Sequence, residues 1–285
     1  MMIELQISRS LADAAGAGLL VPGPSGTTDQ RFVGLDVPSH VRLSELVEKS
    51  SGQSAFLLRG LDASPLHLRY RFRLEPDRRP TDIFVDFANR FTAFDGDIDA
   101  FLEIDDPRPS AHSVVAAVQR KFTYGPRNYD HEFATAFCGV GSGNCIDINT
   151  VLLACLRGKG IEAAYQAGFF FASPDSGCVA DGMHCWVSTR EHGLVRHWDV
   201  AHCLQAGLDA PIAALNPKGG CRVAVSFGRG LQFASAGLEF PQISHFARPQ
   251  WLGTGGFARE AEIRTVIVSE DALYGDPAEW RSCDA

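Results

Sequence analysis

Apolar and polar positions alternate along the first third of the chain, which predicts strands. The segments "RFVGLDV", "SAFLLRGL", "LHLRYRFRL" and "TDIFVDF", between positions 31 and 87, are of strand length and are bounded by Gly, Pro, Ser or Asp. In the third segment arginines alternate with apolar residues, which predicts a solvated basic face made of Arg69, Arg71 and Arg73. The segment "RLSELVEK" (42–49) is the expected helix of this region. We therefore expect a β-rich region over residues 1–105.

Helical patterns follow, and strands return after them. Ser110 is expected to cap a helix that ends near Phe122. A second helix is expected to begin within a residue or two of Cys145, because Cys145, Ile148, Leu152 and Leu156 recur on one stripe before two closely spaced glycines. Beyond it lie strand-like segments, among them "IRTVIV" (263–268). Helices followed by antiparallel strands predict an α+β core in a second unit, residues 106–285, that includes a C-terminal extension.

Composition and charge exclude several classes of function. The formal net charge is −8, and no long basic run is present, so nucleic acid is not an expected partner. No apolar run approaches the ~20 residues that span a bilayer, and the first residues do not resemble a signal peptide, so no membrane partner is expected. Eight cysteines without a C-x-x-C pair make neither a disulfide scaffold nor a zinc ribbon. We expect a soluble, cytoplasmic protein with reduced thiols.

One cysteine lies where a thiol would be reactive. Cys145 follows the glycine-rich "GVGSGN", in which Ser142 and Asn144 are good N-cap residues. A thiol in the first turn of a helix lies at the positive end of the helix dipole, which favours the thiolate. The loop, with Gly143 and Asn144 next to the thiol, could also supply a backbone N–H to an oxyanion. The alternative is a buried cysteine that acts as a small apolar residue, which is the expectation for Cys155.

A hairpin supplies two partners for this thiol. Residues 183–189 and 194–200 read as strands joined by "REHG". A turn centred on Glu191 and His192 places His184 opposite Asp199, and a bulge would shift this pairing by one residue. A thiol, a histidine and an acid that orients the histidine carry out nucleophilic acyl transfer. The sequence thus predicts Cys145 as nucleophile, His184 as general base and acid, and Asp199 as the residue that orients it.

These motifs resemble the transglutaminase-like superfamily of papain-related cysteine enzymes. The matching segments, in order, are Gly143-Asn144-Cys145, then "LRGKGI" (156–161), then His184-Cys185-Trp186, and finally Asp199 after Trp198. The resemblance covers about residues 110–202. The chain departs from the family at "GIEAA", where members often have G-I-P-A-R, and at "DVA", where they often have D-P-T.

The resemblance implies a papain-like core, with helices packed on an antiparallel sheet or barrel, behind a β-rich region. It implies a thioester intermediate on Cys145 and no cofactor, with Trp186 and Trp198 expected to flank the site. A peptide, amide or thioester is the expected substrate, and hydrolysis by a peptidase or amidase is the first expectation. Two alternatives stay open: an acyltransferase that forms an amide in a biosynthetic pathway, and a binding module without activity.

Two segments carry groups that metal ions bind, and neither is expected to form a metal site. Histidines and cysteines crowd the hairpin, but successive strand residues face opposite sides, so His184 and Cys185 cannot share one ion without distortion. The acidic segment "DGDIDAFLEIDD" (95–106) begins like a calcium loop. It has Ala100 where the loop needs glycine and Asp106 where it needs glutamate, which favours a solvated loop that caps a helix.

Overall fold

The computed structural model describes residues 1–8, 18–61, 65–85, 89–94, 96–126, 141–235, 238–253, 258–268 and 280–284. The helices are α1 (Ile98–Leu102), α2 (Ala111–Lys121), α3 (Cys145–Gly158) and α4 (Val200–Gln205). The strands are β1 (Met2–Ile7), β2 (Gly18–Gly23), β3 (Arg31–Pro38), β4 (Arg42–Val47), β5 (Ser54–Arg59), β6 (Leu66–Arg73), β7 (Phe122–Tyr124), β8 (Gly141–Gly143), β9 (Glu162–Phe171), β10 (Met183–Glu191), β11 (Leu194–Trp198), β12 (Cys221–Phe227), β13 (Ala234–Ser235), β14 (Leu238–Glu239), β15 (Gln250–Leu252), β16 (Ala258–Glu260), β17 (Ile263–Val268) and β18 (Trp280–Asp284).

A four-stranded antiparallel sheet, in the order β11-β10-β9-β12, supports α3. Helix α3 contacts β9 and β10, and its residues 145–156 are all buried. Strand β9 is buried at nearly every position, as expected for a strand covered on both faces. The apolar sequence of α3 on all sides follows from its place between the sheet and helices α2 and α4. The predicted α+β class is confirmed.

The β-rich region consists of two further sheets, each completed by strands from late in the chain. One has the order β17-β1-β6-β3-β18 and the other β16-β15-β2-β5-β4. The N-terminal region also contacts the four-stranded sheet directly: the Gln30 side chain donates to the Ala224 carbonyl (2.7 Å) and accepts from the Ala224 N–H (2.9 Å). The C-terminal segment therefore shares its sheets with the N-terminal region. The division at residue 105 stays a prediction.

Several elements match the sequence-based expectation, and two do not. Helix α2 with its Ser110 cap, the start of α3 at Cys145 and strand β17 are confirmed. The segment 42–49 was wrongly predicted to be a helix: Arg42–Val47 is an edge strand paired with β5, because backbone pairing along the sheet outweighs local propensity. Residues 81–85 of the predicted strand "TDIFVDF" form no strand, and residues 86–87 lie outside the described residues.

The predicted basic face of β6 is only partly solvated. Arg73 is exposed, but Arg69 is buried and its Nε donates to Glu4 Oε2 at 2.8 Å. Glu4 lies directly opposite Arg69 in the neighbouring strand β1. Because β6 is flanked by strands on both sides, its central arginine is neutralised by a cross-strand carboxylate rather than by water.

Among the described residues, the structure has no helix whose length and apolar character would let it cross a membrane.

Candidate active site

The nucleophile candidate is fixed at the start of α3 by a capping box. Asn144 is the N-cap, and its Oδ1 accepts hydrogen bonds from the N–H groups of Ile146 (2.9 Å) and Asp147 (3.4 Å). In return, Asp147 Oδ2 accepts from the Asn144 N–H at 3.0 Å. A Cβ on Gly143 would come within 3.0 Å of the Asp147 Cβ, which explains the glycine there. Cys145 is therefore the first helical residue, as predicted.

One side chain ties this helix start to β10. The Asn149 amide Nδ2 donates to the carbonyl oxygens of Cys145 and Cys185, each at 2.9 Å, and lies 3.8 Å from the Cys185 sulfur. Asn149 is fully buried and one helical turn after Cys145. The sequence analysis missed this residue, although a buried amide four positions after a candidate nucleophile is a usable signal.

His184 and Asp199 form a direct pair, but by a route other than the predicted one. The His184 Nε2 lies 2.6 Å from Asp199 Oδ2, and both residues are buried. The hairpin register is Val187 opposite Trp198, which is two residues away from the predicted pairing. The turn lies at His192 and Gly193, both with positive φ (51° and 77°), and not at Glu191 and His192.

Asp199 reaches His184 because it lies past the end of β11 and serves as the N-cap of α4. Its Oδ1 accepts from the His202 N–H at 2.9 Å, which leaves Oδ2 for the imidazole. One carboxylate thus both begins a helix and orients a histidine. The pair that the sequence predicted is present, and the cross-strand geometry used to predict it was wrong.

The surroundings favour charge separation between thiol and imidazole. A hydrogen bond from Cys185 and the hydrogen bond and positive charge of His184 hold the pKa of Cys145 well below its ordinary value, against the opposing effects of burial and of Asp199. Burial alone would lower the pKa of His184, but the charge and hydrogen bond of Asp199, helped by Cys145, raise it to about 9. Burial opposes ionisation of Asp199, yet His184 and Arg222 lower its pKa to about 2.

Arg222 and His202 join this pair, and the sequence analysis did not assign either a catalytic part. Arg222 Nη2 lies 2.7 Å from Asp199 Oδ2 and 3.3 Å from His202 Nδ1. The His202 ring stacks on the His184 ring, with centroids 3.9 Å apart and planes at 13°. In the sequence, His202 is only one of several histidines in and next to the hairpin. Arg222 lies on β12, in a stretch of sequence that carries no recognisable motif, so no local pattern pointed to it.

Three residues of this cluster are close enough together to be considered as ligands for a metal ion. Within the described part of the chain, His184, Asp199 and His202 offer ligand atoms that all lie within 4.8 Å of one another. The Arg222 guanidinium is already paired with Asp199 Oδ2, so a bound cation would lie beside a buried positive charge. The donor set does not fit a metal ion.

The acidic segment is committed to structure where it is described. Asp97 caps α1 by accepting from the N–H groups of Asp99 and Ala100, and Asp99 pairs with Lys159. Asp95 lies outside the described residues. Two of the three carboxylates that suggested a calcium loop therefore already have protein partners.

The two tryptophans have different surroundings. The Trp186 ring is stacked near His184, with centroids 6.3 Å apart, and is buried. Trp198 Nε1 donates to Thr189 Oγ1 at 2.8 Å, and its ring meets His112 of α2 edge-on. Trp186 therefore contacts the site histidine directly, whereas the described contacts of Trp198 are with other parts of the core.

Tyr124 is a further residue near the thiol. It is the register partner of Gly143 in the parallel β7–β8 pair and is 43% exposed. Burial and the negative charge of Cys145 raise its pKa. A partly exposed aromatic residue thus lies near the candidate nucleophile.

Comparison with known proteins identifies the class. The sequence model of the transglutaminase-like superfamily matches residues 100–194. This segment of the chain is therefore similar to the core of the transglutaminase-like superfamily, which confirms the resemblance and the papain-like fold that the motifs predicted.

The chain was also compared with solved structures and with curated proteins. A solved structure described as a putative cysteine protease from Cytophaga hutchinsonii is similar, with 14% identity and a TM-score of 0.46 over 93% of this chain and 96% of that one. Likeness at this level does not bear on function. No curated protein matches the chain.

Proposed function

We propose that this protein is a cysteine-dependent acyl-transfer enzyme in which Cys145, His184 and Asp199 act together. The observation that carries the proposal is the buried His184–Asp199 pair, 2.6 Å apart, whose imidazole interacts with a thiol of lowered pKa at a helix start. Each of these features is common alone, but the three together supply a nucleophile, a proton carrier and a group that orients it.

The proposed reaction begins with attack of the Cys145 thiolate on the substrate carbonyl carbon. Asp199 holds His184 by Nε2, so Nδ1 is the nitrogen that faces the reaction. The imidazolium gives its proton to the leaving amine, and a thioester on Cys145 results. His184 then takes a proton from the incoming water as the water oxygen attacks the thioester carbon. The C–S bond breaks, the carboxylic acid leaves, and the thiolate–imidazolium pair is restored.

The capping box limits which backbone N–H groups could donate a hydrogen bond to the oxyanion. The N–H groups of Asn144, Ile146 and Asp147 are used within the cap, and none of these hydrogen bonds engages the N–H of Cys145. The Cys145 N–H is therefore the backbone donor that we propose for the developing oxyanion. Asn144 contributes by shaping the loop, because its N–H is already bonded to Asp147, and Gly143 contributes by leaving room for the Asp147 side chain.

We propose hydrolysis of an amide or peptide bond as the reaction. The second candidate, transfer of the acyl group to an amine, shares every step up to the thioester. Tyr124, exposed beside the thiol, is the residue that we propose contacts the substrate. A binding module without chemistry would have no use for the lowered pKa of a buried thiol, which favours the enzyme over that alternative.

The test is intact-mass detection of an acyl adduct. The purified protein is offered a panel of peptide thioesters and activated esters, followed by a chase with water or with a panel of amines. We expect an adduct on the wild-type protein and on Cys155→Ala, and none on Cys145→Ala. Cys155 is the matched control, because it is a buried cysteine of the same helix whose pKa burial raises to about 12.

The chase separates the candidate reactions. Release to the free acid at the same rate with and without amine supports the hydrolase. Faster release by one amine, with formation of the amide, would replace hydrolysis by amide formation. If no acyl donor forms an adduct, the binding module without activity becomes the supported function.

A further inference from the structure

Arg222 has the surroundings of a residue built into the site. Its side chain is fully buried on β12, and Nη2 lies 2.7 Å from Asp199 Oδ2 and 3.3 Å from His202 Nδ1. The guanidinium carbon is 5.5 Å above the Trp186 ring. Burying an arginine costs free energy unless its charge is compensated. The Asp199 carboxylate provides this compensation for Arg222.

The charges of the site balance only when Arg222 is counted. A thiolate at Cys145, an imidazolium at His184 and a carboxylate at Asp199 carry a net charge of −1, and the guanidinium brings it to zero. An unbalanced negative charge would be relieved by protonation of the thiolate, because the thiolate is the more basic of the two anions of the site. Arg222 thus favours the thiolate.

The second effect of Arg222 concerns His202. Burial and the charges of His184 and Arg222 lower the pKa of His202 to about 3, so its ring is neutral at ordinary pH. A neutral ring that accepts from Arg222 at Nδ1 carries its proton on Nε2. Without the guanidinium, Nδ1 could instead carry the proton and donate to Asp199 Oδ2, which is 3.2 Å away. His202 would then compete with His184 for the same carboxylate oxygen.

We propose that Arg222 is a positioning residue: its guanidinium keeps Asp199 aimed at His184 and keeps His202 an acceptor. The inference rests on the proposed function, because it concerns the same three residues. The further ionisable groups that the described residues place around this cluster are Cys185 on β10, Tyr124 on β7, His197 on β11, Tyr165 on β9, Asp29, Lys218 and Cys203. They are unchanged in the variants below and affect all of them alike.

The test compares Arg222→Gln with Arg222→Lys. Glutamine keeps a hydrogen-bond donor for Asp199 but has no charge, whereas lysine keeps the charge but not the planar fork. The readout is the rate of alkylation of Cys145 by iodoacetamide as a function of pH, with folding checked by circular dichroism. We expect Arg222→Gln to slow alkylation at pH 6 on the order of tenfold and to move the acidic limb to higher pH. Arg222→Lys is expected to retain most of the wild-type profile.

The matched control is Arg190→Gln. Arg190 is also paired with a carboxylate, Glu162 at 2.7 Å, and lies on the same strand as His184, but its ion pair is at the surface. Its profile should match the wild type. Superimposable profiles for Arg222→Gln and wild type, or equal shifts for the glutamine and lysine variants, would overturn the proposal.

A second measurement needs no variant, so a failure of Arg222→Gln to fold does not leave the question open. Nitrogen-15 NMR of the wild-type histidines at neutral pH reports which ring nitrogens carry protons. We expect His202 with a bare Nδ1 and a protonated Nε2, and His184 protonated at both. A proton on His202 Nδ1 would contradict the proposal. Neither readout needs turnover, so an inactive protein with the expected profile would refute the proposed function and leave this inference standing.

Discussion

Replacing Cys145 by alanine is expected to change how the stability of the protein depends on pH. In the folded protein, above pH 6.5 and above the lowered pKa of the Cys145 thiol but below about pH 9, Cys145 and His184 share one proton, which is on His184 because its pKa is raised to about 9. The unfolded chain also holds one proton in this range, on the thiol, since the ordinary values are 9.0 and 6.5. Equal proton counts mean that this pair contributes almost no pH dependence there.

Removing the thiol breaks this equality. In Cys145→Ala the folded state still holds a proton on His184 beside Asp199, and the unfolded state holds none above pH 6.5. A pKa that folding raises contributes stability that is complete below the unfolded value and is lost as pH rises through the folded value. A rise from 6.5 to about 9 corresponds to about 3 kcal/mol. Part of that rise comes from Cys145 itself, so the expected loss is about 1–3 kcal/mol.

The assay is urea unfolding of the wild type, Cys145→Ala and Cys155→Ala, each at pH 6.5 and at pH 9. Cys155→Ala should cost the same free energy at both pH values, because burial raises the pKa of that thiol to about 12 and it stays neutral. Parallel behaviour of the two alanine variants would refute the shared proton. So would a wild type whose stability falls as steeply as that of Cys145→Ala, since His184 would then be charged beside a neutral thiol.

Two further substitutions test how the backbone holds the site. Asn144→Ala and Ser110→Ala each remove a helix N-cap and should each cost about 1 kcal/mol of unfolding free energy. Only Asn144→Ala should also slow alkylation of Cys145, by roughly two- to fivefold, as the first turn of α3 loosens; equal alkylation rates in the two variants would contradict this. Gly168→Ala, directly opposite His184, would bring a Cβ against a carbonyl oxygen of β12 and should cost about 1–3 kcal/mol and reduce acyl-adduct formation. A fully stable, reactive Gly168→Ala protein would show that β9 can shift without moving His184.

The elements that carry local signals were predictable from sequence. Asn144 is a good cap followed by an apolar helix, and Ser110 caps α2 in the same way, so both helix starts were found. Residues 42–47 lacked such a signal, and their pairing with β5 was decided by contacts that a local pattern does not contain.

The site was predictable only in its motif-bearing part. Cys145, His184 and Asp199 stand in segments with recognisable spacing, whereas Arg222 meets Asp199 only because β12 pairs with β9. The hairpin error has a similar origin: His192 adopts a positive φ, which moves the turn one position along the chain and shifts the pairing by two residues. The conformation of two turn residues therefore decided the strand register. Hydrophobic alternation could not decide it, because a shift of two residues leaves every side chain on the same face of the sheet.

The interleaving of early and late strands has a consequence for how the chain folds. Met2 of β1 pairs with Val268 of β17, and Gly34 of β3 pairs with Asp284 of β18. The residues in these pairs are far apart in sequence. Chains dominated by such contacts fold slowly, because closing a long loop costs entropy before the stabilising contacts can form. During synthesis, β1 and β3 emerge well before their C-terminal partners and present unpaired edges in the meantime. We therefore expect nascent chains that stop short of residue 263 to be sensitive to protease and prone to association, and the last strands to set the time at which the protein becomes protected.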